Sequence, residues 1–340
     1  MSSSRVWMLK WSMPVIYAAF ALAACGGDDA KTSNNSPDSG NGTPANTAPD
    51  TPSSPSTPST PAITAFIYEG LTPDTSRAQF LSSLNTQGAQ GYRYLSDYAF
   101  TATATLDQTS AFVKDQATTY SYEVQDVTSG SAAFLTQANS EGARGFRWAG
   151  ELAVGTDMFF LYRKDNGSIA TYSYQVLTQP ASKTDFLTQA NAQGAQGYYN
   201  LAPAFILGDA STSSIYEKSS QGNATYGYEI TAAPTDDTSF MTQLNSEGAR
   251  GYRFRGEFVF SDGTGAIFAK DLSQSATFNF YGLDPATTSA TFIQQANVEG
   301  AKGNGLIGGF VLPSGKIQTL YFTPGNCKGA LCTPVSLFGV

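Results

Sequence analysis

Histidine does not occur anywhere in the 340-residue chain. Its absence removes imidazole acid–base catalysis, histidine triads and histidine metal clusters together. Cysteine is nearly as scarce, with Cys25, Cys327 and Cys332 the full complement. The last two enclose Lys-Gly-Ala-Leu near the C-terminus. Without other soft ligands they make a poor metal site, and a short disulfide that tidies the tail is expected in an oxidising compartment. No segment after the first two dozen residues approaches the ~18 apolar residues of a spanning helix. Positive charge is also short, with 19 Lys and Arg against 27 Asp and Glu and a formal net charge of -8. No basic stripe is available to neutralise phosphates, so nucleic acid is not an expected partner. Nothing calls for a cofactor or a metal.

What is present is a repeat. GAQGY begins at Gly88 and again at Gly194, GARGF at Gly142, GARGY at Gly248 and GAKGN at Gly300. The leading glycines are 54, 52, 54 and 52 residues apart, which marks one supersecondary unit used five times. In the second unit Thr118 to Val124 alternates aromatic and polar residues and reads as a half-buried strand. A helix follows, with Phe134, Leu135 and Ala138 on one face, and Gly142 is expected to stop it as a C-cap. Two further strands are read in FRWAGELAV and MFFLYRK. Ser76, Ser182 and Asp236 or Asp237 stand where N-caps are needed. Asn139 and its counterparts, three residues before the glycine, are expected to bond nearby turn backbone and fix the helix exit.

The fold class is therefore α+β, five tandem β-α-β-β repeats of about 52 residues. The repeats are bounded as 62–115, 116–168, 169–222, 223–274 and 275–340, the last with the cysteine-containing tail. The short link from each third strand to the next first strand suits an antiparallel hairpin. The units can be separate beads, an open array or a closed five-fold α/β-propeller-like ring. The ring would pair the otherwise exposed edges of units one and five.

The unit resembles a family of uncharacterised bacterial domains, the domain of unknown function numbered 4177. The likeness rests on Leu84-Asn85 with GAQGYR, Leu244-Asn245 with GARGYR, Asn139, Asn191 and Asn297 before their own glycine segments, and closing strands ending at Lys114, Lys164 and Lys270. It departs by using Tyr or Phe where that family has Trp, and by chaining five units. The resemblance implies the β-α-β-β fold and no activity.

The first 24 residues resemble a secretory signal, with Arg5 and Lys10 ahead of an apolar stretch. Leu22-Ala23-Ala24-Cys25 is similar to the lipobox of bacterial lipoproteins, which implies cleavage before Cys25 and acylation of its thiol, with palmitate among the acyl chains. Gly26 and Gly27 at the next positions favour the outer membrane over inner-membrane retention. Residues 25–61 are nearly all Ser, Thr, Pro, Asn, Gly and Asp, too polar to bury a core, and read as a disordered tether.

Comparison of equivalent positions singles out Arg93, Arg147 and Arg253, each directly after the repeat aromatic, with Asp97, Glu151 and Glu257 four residues on. Strand periodicity puts each pair on one side, where an ion pair within the unit or a solvated face accounts for it. The same rows, or the single tryptophan of the folded region, Trp148, are the residues a carbohydrate or peptide site would use. Two acids across a cleft would instead make a carboxylate-dependent polysaccharide hydrolase. The expected role is a non-enzymatic envelope lipoprotein, a structural or interaction scaffold. Its partners would be the bilayer through Cys25 and an envelope protein, peptide or polysaccharide.

Overall fold

The computed structural model describes residues 16–17, 65–100, 106–115, 118–208 and 212–334. The expected signal, Cys25 and the tether lie outside the described residues, apart from the two-residue strand β1 (Ile16–Tyr17), which pairs in parallel with Ala99 and Phe100.

Five β-α-β-β units follow. The first is β2 (Ile67–Leu71), α1 (Arg77–Ala89), β3 (Arg93–Phe100) and β4 (Asp107–Lys114). The second is β5 (Tyr120–Asp126), α2 (Ser131–Ala143), β6 (Arg147–Val154) and β7 (Asp157–Asp165). The third is β8 (Tyr172–Thr178), α3 (Lys183–Ala195), β9 (Tyr199–Ile206) and β10 (Thr212–Ser219). The fourth is β11 (Tyr226–Ala232), α4 (Asp237–Ala249), β12 (Arg253–Phe260) and β13 (Gly263–Asp271). The fifth is β14 (Thr277–Leu283), α5 (Ser289–Gly300), β15 (Gly305–Val311) and β16 (Ile317–Gly325), before a 3₁₀ turn at Ala330–Cys332.

In every unit the third strand lies between the first and second and is antiparallel to both. This corrects the expected hairpin from a third strand to the next first strand. Both edges of the third strand are already hydrogen-bonded inside its own unit. It also corrects the expected propeller-like ring. Among the described residues the β-structure is five separate sheets, none closed or curled, and no strand of unit five pairs with one of unit one.

The units meet through helices. Each helix packs on the first strand of the unit after it, α1 on β5, α2 on β8, α3 on β11 and α4 on β14, and α5 makes the same contact with β2. Such interlocking also sets aside independent beads. Phe80, Phe134, Phe186, Phe240 and Phe292 are the buried anchors on the five helices, and the first-strand aromatics Tyr68, Tyr122, Tyr174, Tyr228 and Phe280 are buried opposite them.

Two repeat signals have other roles than expected. Gly142 lies inside α2 and is not a left-handed cap. A Cβ there would stand 2.1 Å from the Tyr172 carbonyl oxygen, and one at Gly194 2.0 Å from that of Tyr226. The left-handed residue is the second glycine of each motif, with φ of 86° at Gly145 and 85° at Gly197. The repeated asparagine does not bond the local turn alone. Asn191 Oδ1 accepts from Tyr228 N at 2.8 Å and its Nδ2 donates to Tyr228 O at 3.2 Å. Asn85 does the same with Tyr122, Asn245 with Phe280 and Asn297 with Tyr68. Asn139 Oδ1 accepts from Tyr174 N. Each amide thus imitates one residue of a neighbouring strand on the edge of the next sheet.

Candidate functional site

The second strand of each unit begins two residues after the left-handed glycine, and in units one to four its first side chain is turned inward. In units one, two and four that side chain is an arginine. Arg93 and Arg253 are 2% and 1% exposed, a costly place for a guanidinium unless it is paired and hydrogen-bonded.

Three inward cations find carboxylates. Arg93 donates from Nε and Nη2 to Asp115 Oδ2, at 3.0 and 2.5 Å. Arg163 donates from Nε to Asp165 Oδ1 at 3.0 Å and lies over the Tyr120 ring. Arg147 donates from Nη2 to Glu217 of unit three and lies over the Tyr172 ring. Glu217 also accepts from the Tyr174 hydroxyl at 2.7 Å. Burial pushes the Asp165 carboxyl up, but Arg163, helped by Arg147, more than offsets this and holds it below the ordinary value.

Arg253 is different. Among the described residues no carboxylate pairs with it. Its Nη1 donates to the carbonyls of Leu331, at 2.5 Å, and Thr333, at 3.3 Å, and its guanidinium lies over the Phe322 ring at 3.5 Å. Nε and Nη2 have no hydrogen-bond partner. Burial lowers its pKa to about 9, with Arg255 and Arg93 adding repulsion, so the group stays charged at neutral pH. The neighbouring Pro334 carbonyl accepts from Arg93 Nη2.

The tail that supplies these carbonyls is pinned. Cys327 and Cys332 form a disulfide, as the sequence suggested. Lys328 exchanges two 2.8 Å hydrogen bonds with the Gln274 side chain, and Leu331 is buried.

The expected pairing of each arginine with the acid four residues on does not form for Arg93 or Arg147, whose carboxylates are Asp115 and Glu217. A register shift sits between Tyr94 and Ser96, Trp148 and Gly150, and Phe254 and Gly256. One extra residue inverts the two-residue parity, so the two side chains leave on different faces. Asp97 instead accepts from Ser110 Oγ at 2.6 Å, and burial raises its pKa and that of Glu257. Glu151 is half-buried on β6. Trp148 is 1% exposed and meets Phe134 and Phe205 edge-on. It fills the core and offers no flat surface to a sugar.

Asp115, Arg163, Asp165, Glu217 and the tail carbonyls were not singled out from sequence. A signal existed in the Lys-Asp pairs at Lys114, Lys164 and Lys270, which read as turn residues. In units one and two the Asp turns in to an arginine. In unit four Asp271 instead accepts from Ser273 and Gln274 in its own turn. Arg253 is left to the tail.

Residues 159–311 match the family described as PT dipeptide repeat lipoprotein. The matched stretch runs from β7 in unit two to β15 in unit five, less than half of the chain. It supports a lipoprotein with repeating β-α-β-β units and an association with the membrane or envelope. No curated protein and no solved structure matches. Seven Thr-Pro dipeptides lie outside the match, at Thr43, Thr51, Thr57, Thr60, Thr72, Thr323 and Thr333. Among the described residues no helix is long and apolar enough to cross a membrane, and no cluster of three or more Cys, Asp or Glu could hold a metal ion.

Proposed function

We propose that the protein is a lipid-anchored envelope scaffold, held by acylated Cys25 in the outer membrane and presenting five units of the type seen in the domain of unknown function 4177. The observation that carries this reading is the lipoprotein match over 159–311, taken with Leu22-Ala23-Ala24-Cys25. Two acyl chains suffice for stable anchoring. The disulfide supports an oxidising compartment outside the cytoplasm. The repeated residues with polar chemistry are spent on joining units or on buried ion pairs, which favours a scaffold over a hydrolase.

The test is metabolic labelling of the full chain with an alkyne fatty acid in a Gram-negative host, followed by membrane separation on a density gradient. The wild-type chain should carry the label and sediment with outer membrane, and Cys25→Ser should lose both. Label retained in Cys25→Ser sinks the anchor, and sedimentation with inner membrane sinks the outer-membrane assignment.

A further inference from the structure

Arg253 holds a full charge in the interior, with its Nε–Nη2 edge unbonded and its Nη1 on two neutral carbonyls. That edge is the one guanidinium groups use to grip two oxygens of a carboxylate or phosphate at once. Arg93 stands beside it. It reaches the next carbonyl of the same tail, its Nη1 is likewise unbonded and buried, and Asp115 answers its charge but not that of Arg253. Arg255, over the Tyr199 ring at 5.0 Å and donating to the Leu201 carbonyl at 3.3 Å, is near enough to add repulsion. The carbonyls of Leu331, Thr333 and Pro334 are neutral acceptors from one short stretch of main chain. They bring oxygen atoms to the two guanidinium groups without bringing negative charge.

We propose that Arg253 and Arg93 form a binding site for a bidentate oxyanion, a carboxylate or phosphate group, and that the disulfide-clipped tail at 327–334 occupies it as a tethered substitute. An anion would supply the charge the tail lacks, and because Nε and Nη2 are buried it reaches that edge only when the tail has moved off. The clip matters because it closes a loop of a few residues and holds the Leu331 carbonyl forward. Opening it lowers the local concentration of the competing carbonyls and favours a ligand from solution. The site does not depend on the lipid anchor, so it stands or falls separately from the envelope reading.

The experiment is calorimetric titration of the full chain in detergent, oxidised and after reduction of the disulfide. The probes are inorganic phosphate, acetyl-threonyl-proline with a free carboxylate, and the amide of that dipeptide. Binding of phosphate or of the carboxylate should tighten at least about tenfold on reduction, which corresponds to ~1.4 kcal/mol. The amide should not bind, and Arg253→Met should abolish the response. The preferred probe decides between a phosphate and a peptide carboxylate. Equal affinity in both redox states, binding that survives Arg253→Met, or no binding at all overturns the proposal. So does loss of the near-ultraviolet circular dichroism on reduction, because the clip would then be needed for the fold.

A second readout needs no ligand. In the oxidised chain Arg253→Met removes an unpaired buried charge, so its thermal midpoint should equal or exceed that of the wild type. A clear fall would mean that Arg253 exists to hold the tail.

Discussion

The asparagine three residues before each helix glycine is the clearest case of one side chain serving the whole assembly. Its amide has a donor and an acceptor in the spacing of a peptide group, so it can satisfy both main-chain groups of a residue on an exposed sheet edge. Asn191→Ala leaves Tyr228 N and O without these partners and should cost about 2 kcal/mol in urea unfolding. A cost under ~0.5 kcal/mol would show that water replaces the amide. Asp165 gives a prediction with a sign. Its folded pKa is held below the ordinary value by Arg163, so the unfolded chain binds the proton more tightly and stability rises with pH in that window. The contribution is complete above the ordinary pKa of about 3.9 and is lost as pH falls through the lower folded value. The gap between the urea midpoints of wild type and Asp165→Asn should therefore shrink from pH 5 toward pH 2. A constant gap would contradict the assignment.

At the scale of elements, the helices were legible because their signals are local. Ser76, Ser182 and Asp236 each accept from the backbone N–H three residues on, as N-caps do, and the buried phenylalanines fall where the helical face was read. The strands were legible from their alternating aromatics. What could not be read was anything set by a neighbouring unit. The purpose of Gly142 or Gly194 is a carbonyl 30 and 32 residues further on, and nothing in a GAxG string reveals it. The bulge at Ala149-Gly150 defeated the pairing of Arg147 with Glu151, since parity along a strand holds only while the register is unbroken. Gly194→Ala is the sharp test of the close approach. Its Cβ would meet rigid main chain and not a flexible side chain, so α3 must move off β11, at a cost on the order of 3 kcal/mol. A variant as stable as the wild type by thermal unfolding would refute the contact.

Across the whole molecule, unit five touches both unit four and unit one, because α5 lies on β2 as α4 lies on β14. Asn297 bonds both main-chain groups of Tyr68, and Phe66 N donates to Gly300 O at 3.0 Å. Without the contact on β2, α5 would have no strand to cover and Asn297 would be dispensable. Asn297→Ala should instead destabilise by the same amount as Asn191→Ala, within ~0.5 kcal/mol. A markedly smaller effect by urea unfolding would show that the contact between the ends is weak. The internal symmetry hides one exception. Tyr68, Tyr122, Tyr174 and Tyr228 accept a second-strand N–H through their hydroxyls, whereas Phe280 has none to offer, so the interface of units four and five lacks one bond of the series. It is also the side of the molecule where the tail is fastened, through Gln274 and Arg253.

The seat of β2 on α5 also sets a timetable. Synthesis runs from the N-terminus, and the amide that satisfies Tyr68 lies 229 residues later. The first strands of units two, three, four and five can each be covered by a helix already made, while that of unit one waits until nearly the whole chain has emerged. For that interval it is a bare sheet edge, open to pairing with another nascent copy. Its short length, five residues with Glu69 among them, is the protection the chain carries through the wait.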